Sequence, residues 1–269
     1  MLFIGLGVAL IIMDATVVTV ILPSIIADLG INSVDAEWVN AVYALTFAAL
    51  LIVMGRLGDR YGRRRVFVLG AVAFGLSSIA AAAATTGALL IAARALQGVG
   101  GAMMSPTSLS LVNALYRGKA RNIAFALYGS IIGGMAAVGP LVGGWVTEAV
   151  SWNWAFWVNV PVSLVIIIGS LRAVPESLAE GDVGAADVLG AVLSATGIAA
   201  LVFALIEGRN YGWWNTNADS ELLGRTWTAG SVSPVAIALG IAAVGLTSLM
   251  AYESGRLRQG RSVLLDVSL

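Results

Sequence analysis

The sequence predicts an all-α integral membrane protein, and three observations carry the prediction. Of the 269 residues, 59% are hydrophobic, only 11% are charged, and most of the charges fall between long apolar runs. Soluble domains carry roughly 25% charged residues, so water is not the main solvent of this chain. Cysteine and histidine are both absent, which excludes disulfides, a thiol nucleophile, a Cys/His metal site and a histidine proton relay. Formal net charge is zero. Any buried group that exchanges a proton must therefore be a carboxylate.

A helix that crosses a bilayer needs about 20 predominantly apolar residues. Eight stretches qualify: 3–27, 38–57, 66–84, 87–113, 121–149, 154–174, 187–206 and 232–252. The first contains Asp14 and Pro23 and lacks a small-residue cleavage site, so it reads as a retained helix and not as a signal peptide. It begins Met-Leu-Phe-Ile, which leaves no cytoplasmic tail and leaves open whether a segment stands upstream.

Positive residues orient the spans. Arg56, Arg60, Arg63, Arg64 and Arg65 follow the second span, and Arg117, Lys119 and Arg121 follow the fourth. Arg172 after the sixth and Arg256, Arg258 and Arg261 after the eighth fall on the same side, whereas the loop before the second span carries only Asp28, Asp35 and Glu37. Both termini are then expected in the cytoplasm and the chain in the cell membrane as a multi-pass protein. Trp38, Trp145, Trp152, Trp154, Trp157, Trp213, Trp214 and Trp227 all fall at the opposite face, as an interfacial aromatic belt does.

The expected domains are a six-helix bundle at 1–174, a cytoplasmic linker at 175–186, and a pair of further spans with a connecting segment at 187–269. The linker is acidic and glycine-containing, with Glu176, Glu180, Gly181, Asp182 and Gly184, and Asp187 follows it. Residues 207–231, rich in Asn, Trp, Thr and Gly, are too polar to span and form an external loop.

Four segments carry chemistry. After the second span stands GRLGDRYGRRRVF, Gly55 to Phe67. Its arginines alone would anchor the chain, but Gly55, Gly58 and Gly62 permit close approach, and Asp59 can face an arginine or a helix N-terminus. That combination points to a conformational latch. The fourth span contains LIAARALQGVGGAMMSP, with Arg94, Gln97, Gly98, Gly100 and Gly101. An arginine at membrane depth costs at least ~2.5 kcal/mol, so Arg94 should face a cavity or a carboxylate, unless it snorkels to the surface. The first span contains IIMDATVVTVILP, which places Asp14 about 16 Å along a helix of 1.5 Å rise, near the bilayer midplane. Asp14 can exchange a proton there as a cavity opens to either side; the alternative is a polar staple through Thr16 or Thr19. The fifth span contains LYGSIIGGMAAVGPLVGGW, in which Gly129 and Gly133, then Gly139 and Gly143, line one face, with Pro140 bending the axis. Asn40 and Tyr43 on the second span are polar enough to line a cavity and equally suited to packing.

Together these segments resemble the major facilitator superfamily, and within it the fourteen-helix drug:proton antiporter branch. GRLGDRYGRRR resembles the signature between helices two and three, LIAARALQGVGGA the helix-four motif, GPLVGG (Gly139 to Gly144) the antiporter motif of helix five, and MDATVVTVILP the helix-one motif of the branch. Two positions depart from the pattern: Thr19 stands where the family usually has asparagine, and Asn153 where it has a basic residue. The resemblance implies a major facilitator type N-terminal six-helix bundle plus two additional helices. RSVLLDVSL, residues 261–269, is similar to the segment preceding a second six-helix half, which is expected to be missing.

The resemblance also implies export of small amphipathic, often cationic compounds in exchange for protons. Asp14 would be the coupling carboxylate and Arg94 would tune it. Gly55, Asp59, Arg60, Gly62, Arg63 and Arg64 would form a cytoplasmic gate, Gln97 and Gly98 belong to the helix-four motif, and Gly139, Pro140, Gly143 and Gly144 would seal or pivot the external side. The expected partners are the substrate, protons, the lipid bilayer and the missing half, with no cofactor, metal or nucleic acid. A porter for one metabolite shares the helix-two and helix-four motifs, and a non-transporting truncated fragment remains a third reading. An enzyme reading lacks a Ser/His/Asp set, a metal-ligand cluster or a phosphate-cradling loop, and the short, membrane-flanked arginine loop argues against nucleic acid.

Overall fold

A computed structural model describes residues 1–178, 187–222 and 225–258. Among them, eight helices are long and apolar enough to cross a membrane, as the hydropathy pattern requires: without water, each backbone N–H and C=O must be paired inside its own helix. The chain divides into two compact units, Met1–Gly181 and Asp182–Leu269. The expected linker at 175–186 lies mostly, and the segment 261–269 wholly, outside the described residues.

The first unit contains α1 (Leu2–Leu29), α2 (Ser33–Tyr61), α3 (Arg63–Ala82), α4 (Gly87–Leu115), α5 (Gly118–Ala149), α6 (Trp154–Trp157) and α7 (Asn159–Ala173). The last two together make the sixth span, Trp154–Ala173. The backbone runs on helically through Val158 (φ −59°, ψ −32°), which donates to the Trp154 carbonyl at 3.0 Å, and Pro161 only withholds an N–H from the Trp157 carbonyl. Local chemistry sets several ends. Gly30 takes the left-handed conformation after α1 (φ 60°), Asn32 caps α2 by accepting the Asp35 N–H at 2.8 Å, and Thr86 caps α4 through Leu89 at 3.3 Å.

Helix α4 packs against α1, α2 and α3, α1 lies along α5, and α7 packs on α3 and α1. The approach of α3 to α4 rests on glycine. A Cβ on Gly100 would lie 2.8 Å from the Phe74 nitrogen, and one on Gly70 2.8 Å from the Gly100 carbonyl oxygen. Two apolar clusters fill the bundle. One joins Ile4, Val8, Phe67, Phe74, Met104, Leu111 and Ile166 toward the arginine-rich end. The other joins Val17, Ile21, Ile25, Val39, Leu90, Trp152 and Phe156 toward the tryptophan-rich end.

The second unit is an antiparallel pair, α8 (Val188–Tyr211) and α9 (Pro234–Arg258), joined by a loop with a short hairpin, β1 (Ser220–Leu222) and β2 (Arg225–Trp227). Sequence reading placed no strand in this loop. The helices cross at Gly197 and Gly245, where a Cβ on Gly245 would meet the Gly197 Cα at 3.3 Å. Asp187 caps α8 through Gly190 at 2.9 Å and accepts the Tyr252 hydroxyl at 3.1 Å. At the far end Ser233 donates to the Gly212 carbonyl at 2.6 Å.

The tryptophans do not all behave as a belt. Trp145, Trp154, Trp157, Trp213 and Trp214 are exposed, but Trp152 is buried and donates its indole N–H to Asp28 at 2.8 Å. The Gly100 contact makes a prediction: Gly100→Leu pushes α3 from α4, an overpacking that costs on the order of 1–3 kcal/mol or more against backbone that cannot yield. Detergent-solubilised protein should then unfold several degrees earlier in a thermal shift assay, while substitution at Gly129, which faces open space, should leave the transition in place.

Candidate functional site

Between the two apolar clusters lies a buried polar network drawn from five helices, α1, α2, α3, α4 and α7. Asp14 on α1 and Arg94 on α4 are both enclosed, with side-chain exposures of 1% and 0%. Arg94 Nη1 donates to Asp14 Oδ2 at 2.5 Å and to Gln97 Oε1 at 2.8 Å, and Nε donates to the Val39 carbonyl at 3.1 Å. The guanidinium lies 4.3 Å above the Tyr43 ring and 5.9 Å from that of Phe156, where cation–π attraction partly replaces lost hydration. Arg94 therefore meets a carboxylate and does not snorkel.

The other Asp14 oxygen, Oδ1, accepts Asn159 Nδ2 at 2.7 Å and Gln97 Nε2 at 3.3 Å. Gln97 Nε2 also reaches Ser78 Oγ at 2.8 Å. Thus Asp14 faces only N–H donors, an arrangement matched to an ionised carboxylate. Asp14 bonds neither Thr16 nor Thr19, and its interhelical links run to Arg94, Gln97 and Asn159. Thr16 donates to its own backbone at Ile12 and Met13, and Thr19 accepts Asn40 Nδ2 at 3.5 Å. Tyr43 donates to the Ile11 carbonyl at 3.4 Å and so ties α2 to α1. Gly98 admits α2: a Cβ there would strike the Thr46 hydroxyl and lie 2.7 Å from the Tyr43 carbonyl.

A second constellation sits at the arginine-rich end. Asp59 accepts Arg63 Nη2 at 2.8 Å and Nε at 2.9 Å. The helix N-terminus is taken by another acid. Glu176, just past α7, accepts the backbone N–H groups of Arg64 at 2.9 Å and Arg65 at 3.2 Å, while Arg63 N–H donates to the Ser177 carbonyl at 3.0 Å. Arg64 Nη1 also donates to the Val174 carbonyl at 3.2 Å. Gly62 is needed twice, for its φ of 113° and because a Cβ would lie 2.7 Å from the Glu176 carboxyl. Gly58 meets Thr107 and Gly55 meets Pro106 on α4. Arg60 lies 5.5 Å from the Tyr61 ring.

The glycines of α5 divide. Gly139 and Gly143 pack on α1, the former against Thr16 and the latter 3.2 Å from the Val17 carbonyl, counted from the position of an added Cβ. Gly129, Gly133 and Gly144 have nothing within 4 Å, so one of the two expected glycine pairs makes a helix contact. Pro140 is accommodated within a continuous α5. Near the tryptophan-rich end of α1 and α5, a cavity of about 500 Å³ is lined by Ser24, Asp28, Thr147, Ser151, Trp152 and Asn153. The departing Asn153 donates to the Ala82 carbonyl at 2.8 Å and so closes the end of α3.

Sequence reading missed Asn159, Ser78 and Glu176 as site residues. Asn159 carried a usable signal, a polar side chain inside an apolar run just before a proline. Glu176 carried none, because its partners are more than a hundred positions away.

Residues 4–259 match the Major Facilitator Superfamily. The chain is 41% identical over 209 residues to the puromycin resistance protein pur8 of Streptomyces alboniger, covering 76% of this chain and 40% of that protein. It is 40% identical over 202 residues to the multidrug efflux pump LfrA of Mycolicibacterium smegmatis, covering 75% and 40%. It thus spans well under half the length of these relatives. Among solved structures, a crystal structure of a peptide transporter POT shares the fold with a TM-score of 0.56 at 17% identity, over 96% of this chain and 46% of that one. The human organic anion transporter MFSD10 gives a TM-score of 0.56 at 17% identity, over 77% and 54%. With eight membrane-length helices and these relatives, the chain is a multi-pass membrane protein that belongs to the Major Facilitator Superfamily of transporters.

Proposed function

We propose that this chain works in a proton-coupled secondary transporter that exports small amphipathic, often cationic compounds by antiport. One observation carries the reading: Asp14 is sealed among N–H donors beside Arg94 in the middle of a membrane bundle. A buried ion pair is costly to hold, and removing one charge is costlier still. Protonating Asp14 neutralises it, leaves the Arg94 cation unpaired, and so drives the network toward an arrangement open to water. Proton binding is thereby converted into helix movement.

The relatives support export, since they are named for puromycin resistance and multidrug efflux. In this reading the arginine-rich end and both termini face the cytoplasm of a cell membrane. Residues 1–174 form one rocking bundle, 175–186 a linker and 187–269 two extra spans, with a second six-helix half as the bundle's counterpart. Asp59, Arg60, Arg63, Arg64 and Glu176 hold the cytoplasmic side shut, and Gly139, Pro140, Gly143 and Gly144 let α5 close on α1 at the external side.

The test is extrusion of a lipophilic cationic dye from efflux-deficient cells expressing the complete reading frame that contains this sequence. Proton-dependent extrusion supports antiport, and none would move the reading to a porter for a single metabolite. Asp14→Asn should be made and inserted yet lose extrusion against a gradient; a variant that still couples to the proton gradient would sink the assignment. At the other end, Glu176→Ala deprives the start of α3 of its acceptor, which costs about 0.5–2 kcal/mol by the measure of helix caps. It should lower both thermal stability and extrusion rate, with Glu176→Gln falling between it and the parent.

A further inference from the structure

Asn159 holds a position that the ion pair alone does not explain. It stands at the start of α7 in the sixth span, is fully buried, and donates Nδ2 to Asp14 Oδ1 at 2.7 Å. Its own carbonyl oxygen, Oδ1, is buried without a hydrogen-bond partner. An orphaned buried acceptor is costly, on the order of 1–3 kcal/mol, and here it belongs to the side chain that touches the carboxylate. A protonated Asp14 would need what its present shell lacks: Arg94, Gln97 and Asn159 all present N–H groups, and an acid O–H requires an acceptor.

We infer that Asn159 is a positioning residue that reads the protonation state of Asp14 by turning its side-chain amide. With Asp14 ionised, Nδ2 donates to Oδ1 of the carboxylate. When a proton arrives from water on the open side, an O–H bond forms at that oxygen and the charge of the network rises by one. The amide then rotates about its terminal torsion, and its free oxygen accepts the new O–H. The two ends of an amide are nearly equal in size, so the turn needs no backbone movement. One amide atom lacks a partner in either state, which keeps the two orientations balanced. Ser78 Oγ, 3.4 Å from Nδ2, can both donate and accept, so it tolerates both.

The charged and titratable groups facing Asp14 are Arg94 from α4 and Tyr43 from α2. Tyr128 of α5 is bonded to Ser108, the charges of α5 lie near its ends, and the described residues of α6 and α7 contribute only Arg172, near the end of α7. Gln97 is a neutral amide as well, but its Oε1 is held by Arg94 Nη1, so Asn159 is the amide of the shell whose acceptor is free to take a new O–H.

The inference rests on Asp14 being the proton carrier, and the experiment separates the two ideas. The complete transporter is prepared with isotope-labelled asparagine, and infrared difference spectra are recorded across a pH titration. Expected is a protonated-carboxyl band that Asp14→Asn removes, accompanied by an asparagine amide carbonyl band that disappears in Asn159→Leu and in Asp14→Asn. Asn159→Leu, which keeps the volume but cannot hydrogen-bond, should lower proton-driven extrusion about tenfold, the worth of one hydrogen bond to a charged group, with dye binding unchanged. Asn159→Ala provides the same comparison should the leucine variant fold poorly. A carboxyl band without any Asn159-dependent amide band overturns the switch and leaves proton coupling standing. Absence of the carboxyl band overturns both.

Discussion

Everything in the six-helix unit is arranged around the cost of two opposite charges in a medium that solvates neither. Asp14 and Arg94 are each tolerated only because the other is present, and breaking such a pair by deleting one partner costs about 3–5 kcal/mol. Coulombic attraction does not finish the task, since a guanidinium has five N–H groups and a carboxylate two oxygens to satisfy. Val39 and Gln97 take two further guanidinium N–H groups and Asn159 the second carboxylate oxygen, while Nη2 has no hydrogen-bond partner and the cation lies over the Tyr43 ring. One ion pair thereby pins α1, α2, α4 and α7 to a common level, with apolar clusters above and below it.

The arginine-rich end is built on a different principle. There the charges are partly solvated, and a single ion pair such as Asp59 with Arg63 contributes little. What holds the segment is geometry: Glu176 satisfies backbone donors that a helix start leaves empty, and the glycine at 62 leaves room for it. The carboxylate also lies at the positive end of the α3 dipole, so hydrogen bonding and charge act in one direction. This clasp joins the close of the first unit to the turn between α2 and α3, and the arginines serve it mainly through their backbone.

The spans were legible in the sequence because the bilayer leaves few alternatives: a long apolar run must be helical and must cross. Asp14, Arg94 and Gln97 were legible for the same reason, as polar groups at membrane depth announce themselves. The partners were not. That Asp14 meets Asn159 rather than Thr16 or Thr19 depends on the rotation of α7 against α1, which no local pattern encodes. Glu176 read as one more acid in a linker, and Trp152 as one more belt residue, because each is defined by a contact across the fold with Arg64 or Asp28. Gly139 and Gly143 meet α1 while Gly129 and Gly133 have nothing within 4 Å, a difference that their equal spacing does not carry.

That asymmetry bears on how α1 is held. On one side it is fixed to α4 and α7 through Asp14, a contact whose strength depends on whether the carboxylate is charged. On the other it packs along α5, with Thr16 and Val17 seated on Gly139 and Gly143 and Ile131 seated on Gly5. That contact is apolar and carries no charge, whereas moving α1 from α4 while Asp14 is ionised exposes two unpaired charges. In the proposed antiporter the proton therefore acts on the charged contact and leaves the apolar one unchanged. Neutralising Asp14 removes half of the charge penalty that holds α1 to α4, and the α4 side becomes the one that can yield.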